Sequence, residues 1–198
     1  MGCDIHMCVE VKRNINGVER WVSADHFSLN PYFDGVDTDE EQYRIVGLFT
    51  DRNYAAFDCL AGVRSYNDDS PRIDNPRGVP ADAAATTLAD IAKWDGDGHS
   101  HSYVTLREVI EFNGRKFERE VSGMVDPETA RALDTDGTEP RSWCGWTSRE
   151  DYVQRSWKQQ VDALTGLEDA MRQRLVETMW RDDPDFHDKI RIVFWFDN

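Results

Sequence analysis

Positive charge is scarce in this chain. Against 38 Asp and Glu stand 23 Lys and Arg, only five of them Lys, and the net charge is −15 at pH 7. Nonspecific nucleic-acid affinity comes from cations that neutralise phosphates, so a surface of this sign repels polyanions and anionic bilayers alike. Bulk nucleic acid and membranes are therefore not expected partners. No apolar run approaches the roughly 18 residues that a spanning helix needs. No leader pattern opens the sequence, and a cytoplasmic location is expected.

Cysteine is sparse too. Cys3, Cys8, Cys59 and Cys144 form no Cys-x-x-Cys pair, and they read as free, mostly buried thiols in a reducing compartment. Gly-x-x-x-x-Gly-Lys, dinucleotide glycine patterns and Gly-x-Ser-x-Gly are all missing. Their absence removes the phosphate loop, the dinucleotide fold and the nucleophile elbow. Aromatics, by contrast, are plentiful at 11%, with seven Trp, which marks a folded chain. A length of 198 residues buries a core without staples. It fits one domain over residues 1–198, with room for a small appendage.

Hydrophobic periodicity lays out the elements. Residues 3–12 alternate, with Cys3, Ile5, Met7, Val9 and Val11 on one face and Asp4, His6, Cys8, Glu10 and Lys12 on the other, as in a half-buried strand. Asn16-Gly17 predicts a hairpin turn and residues 18–23 the return strand. Residues 24–50 read as loop, with a solvated acidic run at 37–41. A helix is expected over 52–61, capped by Asp51 and closed by Gly62. Residues 64–82 carry Pro71, Pro76, Pro80, Arg72 and Arg77 without periodicity, and loops of that length are usually functional or mobile. A second helix is expected over 83–94, ended by Asp95-Gly96-Asp97-Gly98. Thr105-x-x-Glu108 is a capping box that starts a third. Residues 114–125 fit a strand or a continued helix, and 126–148 read as turns holding Trp143 and Trp146. Val153, Trp157, Val161, Leu164, Met171, Leu175 and Met179 recur at spacings of three, four or seven and predict a long helix over 149–181. A closing strand spans 189–198, with Ile190, Ile192, Phe194 and Phe196 on one face and Arg191, Val193, Trp195 and Asp197 on the other. The fold class is α+β, with a mixed or antiparallel sheet containing both terminal strands and a long helix packed on it. If those strands are neighbours, the face of Asp4 and His6 also carries Arg191, Trp195 and Asp197.

Three of the five histidines lie in two short segments, at His6 and at His99-Ser100-His101. Asp4 and His6 are two apart on a strand and project together. This Asp-x-His resembles the first metal motif of calcineurin-like phosphoesterases, but that family's later Gly-Asp-x-x-Asp and Gly-Asn-His-Glu motifs are absent. The competing reading is a solvent-facing pair on an edge strand. His99 and His101 would add two imidazoles if their segment is extended; otherwise they belong to a loop whose Asp and Ser satisfy a helix start. The candidate metal ligands are Asp4, His6, His99 and His101, and the candidate metal is divalent (Zn, Mn or Mg). Asp97 and His101 are the candidate catalytic groups, Asp97 orienting a ligand or acting as base. Arg52, Arg64, Arg72 and Arg77 lie near Tyr54 and Tyr66. Guanidinium forks bind phosphate and rings stack on bases, so Arg52, Tyr54, Arg64 and Arg77 are candidate ligand-binding residues. The alternative is salt bridging to the many carboxylates.

Residues 1–6, 52–54, 61–64, 76–80 and 99–108 together carry Met-Gly-Cys-Asp-Ile-His, Arg-Asn-Tyr, Ala-Gly-Val-Arg, Pro-Arg-Gly-x-Pro and His-Ser-x-Ser followed by Leu-x-Glu. In these the chain resembles a family of phage and bacterial proteins. One departure is Tyr103, where a Trp is expected. The resemblance implies a phage-associated context, hence a host cytoplasm and a host-takeover or anti-defence role, but no particular reaction. Three functions follow. The first is a metal-dependent hydrolase of a phosphate ester or nucleotide. The second is a non-catalytic binder, as a single chain or a homo-oligomer, that sequesters a nucleotide signal. The third is an acidic interaction protein that occupies a host protein by charge mimicry.

Overall fold

The structure is a computed structural model that describes residues 2–36, 41–49, 52–65, 70–94 and 96–198. Asp51, Tyr66, Asp95 and most of the acidic run at 37–41 lie outside the described residues. The chain divides into two compact units, Met1–Gly114 with Ala163–Asn198, and Arg115–Asp162.

The larger unit is built on a four-stranded antiparallel sheet in the order β2-β1-β8-β5, so the two terminal strands lie side by side at its centre. These strands are β1 (Asp4–Ile15), β2 (Val18–Ser23), β5 (His99–Thr105) and β8 (Ile190–Asp197). Alternation along β1 and β8 decides which side each residue faces. The register pairs Asp4 with Asp197, His6 with Trp195 and Glu10 with Arg191, so Asp4, His6, Arg191, Trp195 and Asp197 do share a face. The other face is wholly apolar at β8, where Ile190, Ile192, Phe194 and Phe196 are fully buried. Helix α1 (Tyr54–Ala61) lays Phe57 on Phe196, with ring centroids 5.1 Å apart. Helix α5 (Thr165–Met179) packs on β8 through its buried Leu167, Met171 and Leu175, with α3 (Leu106–Gly114) beside it.

The polar face of the sheet is covered by α2 (Ala85–Ala92). Its anchor is Glu10, which is completely buried. One carboxylate oxygen accepts the Ala84 N–H and the Thr87 hydroxyl, each at 2.7 Å; the other accepts Arg191 Nε at 2.7 Å. Arg191 also reaches Asp82 at 2.9 Å and lies over the Trp21 ring at 4.0 Å. Glu10 thus supplies the side-chain acceptor that Ala84, standing at the N-cap, cannot.

Several expectations need correction. Residues 24–50 are not all loop: β3 (His26–Leu29) and β4 (Tyr43–Val46) form a two-stranded sheet. Helix α1 starts at Tyr54, and its described N-cap is Asn53, whose side chain accepts the Ala56 N–H. The span 149–181 is not one helix, since β7 (Val153–Gln160) precedes α5. Nor is 126–148 only turns: α4 (Pro127–Asp136) begins at Asp126, which accepts the Glu128 and Thr129 N–H groups, and ends at Gly137 in the left-handed region.

The smaller unit pairs β6 (Glu118–Val125) with β7 antiparallel, and α4 packs with them. Trp157 is its buried centre, with Val125 and Ala130. Trp143 stands edge-on to Trp157 at 5.3 Å and lies against Gly123, where a Cβ would fall 2.5 Å from its ring.

Candidate functional site

The site grows from the even-numbered residues of β1 and their partners on β8 and β5. Four rings form a row across the sheet face. Trp94 lies on His6 with centroids 3.8 Å apart, His6 on Trp195 at 5.6 Å, and Trp195 on His101 at 6.2 Å with planes only 15° apart. Gly98 makes room for this packing, because a Cβ there would sit 3.2 Å from the Trp94 carbonyl and 3.3 Å from Trp195 Cδ1. The His6 Nε2, Trp195 Nε1 and His99 Nε2 atoms are buried without a hydrogen-bond partner. Unpartnered buried nitrogens are uncommon in folded chains and demand an account.

His99-Ser100-His101 is strand, not loop, and it carries a bulge. His99 pairs with Phe196 and Ser102 with Phe194, so three residues of β5 advance against two of β8. Ser100 takes a positive φ of 51° to make this turn. The extra residue sends the two imidazoles to opposite faces: His101 stacks on Trp195, His99 on Phe196 at 6.1 Å. The segment is extended, but the bulge removes the shared face that two residues two apart on a regular strand would have. His101 shares the His6 face but is two strands away, roughly 9–10 Å by strand spacing, with the Trp195 indole between. Burial, reinforced by His99, holds the His101 imidazole below the usual histidine range. Asp97 is exposed in the turn before β5. Among the described residues no three His, Cys, Asp or Glu side chains converge as metal ligands.

Asp4, Arg52, Tyr54 and Arg64 gather where β1 and β8 meet. Arg52 forks onto Asp4 with contacts of 2.6 and 2.8 Å, and this hydrogen bonding holds the Asp4 carboxyl below its ordinary range. Arg64 donates to the Gly2 carbonyl at 3.3 Å and to Asn198 Oδ1 at 3.1 Å, and its guanidinium lies 5.9 Å from the Tyr54 ring. Asp197, beside them, stands 3.4 Å from His6 Nε2. Arg77 is elsewhere and fully engaged. It donates to Asp74 at 2.9 Å, to the Tyr103 carbonyl at 3.0 Å and to Glu108 at 2.7 Å. Glu108 is the acid of the capping box, accepting the Thr105 N–H at 2.7 Å, so Arg77 ties the 70–80 segment to the start of α3.

A cavity of about 700 Å³ opens beside this face, between the Ile5–Met7 stretch of β1, helix α2 and residues 41–49. Sequence reasoning missed it, because residues 24–50 offered no clear period. Its ring-bearing walls are His6, Phe27, Tyr43, Phe49 and Trp94; its charges are Glu41, Arg44, Asp90 and Lys93. Lys93 contacts Glu41 at 2.6 Å and Asp90 at 3.1 Å. Arg44 has no ion-pair partner among the described residues. Deeper in, burial raises the Asp25 carboxyl above its ordinary range. Burial, with Asp25 and Asp90 nearby, raises the Cys8 thiol. Cys3, Cys8 and Cys59 are buried free thiols.

No family model, curated protein or solved structure matches the chain. The functional reading therefore rests on this geometry.

Proposed function

We propose that the chain binds a small nucleotide-class ligand in the cavity beside β1, and that binding, rather than turnover, is its principal act. The observation that carries this reading is the cavity itself. Its volume of about 700 Å³ falls within the range of small-molecule sites, which combine apolar and aromatic walls with a few convergent polar groups. Trp94, packed on His6 with centroids 3.8 Å and planes 36° apart, offers a fixed face on which a base can stack. Arg44 supplies a cation for a phosphate, while Lys93 is held by Glu41 and Asp90. The anionic remainder of the protein favours a ligand of few phosphates over a polynucleotide.

Titration calorimetry and tryptophan quenching with nucleosides and nucleoside monophosphates test the reading. Saturable binding is expected, weakened about tenfold or more in Trp94→Ala, since stacking on one ring is worth about 1–3 kcal/mol. No saturation by any of them up to about 1 mM ends it.

Hydrolysis is the second reading, favoured by one pair. His6 lines the cavity, and its Nε2 stands 3.4 Å from Asp197 without a closed hydrogen bond; tightening of that contact around a ligand would let the carboxylate orient an imidazole base. Chromatography of the incubated nucleotide separates the two: intact ligand supports binding, and a cleaved product lost in Asp197→Asn supports hydrolysis.

A further inference from the structure

We infer that the cavity reads the hydrogen-bonding edge of an amino-bearing nucleobase, adenine above all, through the main chain of Ile5 and Met7. This rests on the nucleotide reading above and goes on to name the base and its contacts.

In a strand, the N–H and C=O of one residue point to one side and those of the next to the other. Along β1 the odd-numbered residues face the β2 side. Val9 shows this directly: its N–H donates to Asp25 Oδ1 at 2.7 Å, and its carbonyl accepts the Ala24 N–H at 2.8 Å. The even-numbered residues face β8, as the Asp4 N–H does when it donates to Asp197 at 3.1 Å. Pairing with β2 runs from Ile15 only as far as Glu10 opposite Ser23, and Asp25 closes it at Val9. Beyond that point no described strand pairs with β1 on this side, yet Ile5 and Met7 both line the cavity. The edge that would otherwise be a liability for strand pairing instead forms the cavity wall.

The Ile5 carbonyl and the Met7 N–H therefore point the same way, an acceptor and a donor two residues apart. A base edge with an exocyclic amine beside a ring nitrogen presents the complementary donor and acceptor. Two further features narrow the base, the first to an amine rather than a carbonyl edge and the second to a purine. The Glu41 and Asp90 carboxylates line the same cavity, joined through Lys93 at 2.6 and 3.1 Å; the lone pairs that Lys93 leaves open accept hydrogen bonds from an amine and repel a carbonyl oxygen. The volume of the cavity, about 700 Å³, and its ring walls favour a purine, whose larger face stacks more strongly than a pyrimidine's.

The experiment uses the full chain and two readouts. Calorimetry compares adenosine with inosine, purine riboside and N6,N6-dimethyladenosine. Adenosine should bind about tenfold more tightly than each, because a main-chain group left unpaired beneath the bound base is costly. In parallel, amide hydrogen exchange by NMR follows Met7 and Val9. Without ligand the Met7 amide should exchange faster than that of Val9, and saturating adenosine should slow Met7 while leaving Val9 unchanged. Equal affinity for adenosine and the dimethylated analogue, or a Met7 amide indifferent to bound nucleoside, overturns the inference and leaves the nucleotide site standing. Failure of every nucleoside and nucleotide to bind overturns the site itself.

Discussion

Removing one charge from the Glu10–Arg191 pair should destabilise the larger unit more than any other single polar substitution in it. Glu10 is 0% and Arg191 4% exposed. Arg191→Met would leave a fully buried carboxylate with two neutral donors, Ala84 N–H and Thr87 hydroxyl, and no cation. Breaking a buried pair in this way costs about 3–5 kcal/mol. Glu10→Gln is milder, because Arg191 retains Asp82 at 2.9 Å and the amide oxygen can still accept from α2. The double variant Glu10→Gln/Arg191→Met removes both charges and should cost less than the sum of the singles. Chemical denaturation followed by far-ultraviolet circular dichroism measures all three, and at about 2–4 °C per kcal/mol for a chain of this length the Arg191→Met melting midpoint should fall by roughly 6–20 °C. A loss below about 1 kcal/mol in Arg191→Met, or strict additivity in the cycle, would refute the assignment of this pair as the anchor of α2.

Other substitutions test separate links. Gly98→Ala should displace Trp94 from His6, changing the near-ultraviolet dichroism and weakening nucleoside binding at a cost of about 1–3 kcal/mol in stability; an unchanged spectrum would show that the turn has slack. His101 binds its proton less readily folded than unfolded, so acidification below about pH 6.5 favours the unfolded chain until the folded group also titrates. His101→Gln should accordingly flatten the decline of melting temperature with falling pH in that window, and parallel wild-type and variant profiles would contradict this. Asp126→Ala removes the acceptor of two N–H groups at the start of α4 and should cost about 1 kcal/mol, read from the melting transition of the full chain.

The centre of the fold was legible because alternation in 3–12 and 189–198 is strict and the apolar faces are long. Once both strands were in one sheet, the company of Asp4 and His6 followed from parity alone. The capping box at Thr105 was equally plain, since Glu108 accepts the Thr105 N–H and the Thr105 hydroxyl oxygen accepts the Glu108 N–H, both within four residues of chain. The long helix over 149–181 failed for a definite reason: Val153 and Trp157 are four apart, and four satisfies a strand's period of two as well as a helix's 3.6. The start of α4 was available in Asp126-Pro127-Glu128 and was outweighed by the surrounding turn residues. The bulge at Ser100 has no sequence signal, because Ser rarely adopts positive φ, and it alone separates His99 from His101. Glu10 could not be paired with Arg191 before the strand register was known. The cavity depends on where the 41–49 segment lies, which local propensity does not encode.

The same central pairing has a consequence for synthesis. Glu10 and Arg191 are 181 residues apart, and at about 5–20 residues per second β8 leaves the ribosome roughly ten to forty seconds after β1. Throughout that interval the β1–β2 hairpin has no β8 to pair with its inner edge. The nascent chain is thus at its most aggregation-prone while it is still being made, and its yield in a cell should depend on how well a chaperone shields that first hairpin until the last strand arrives.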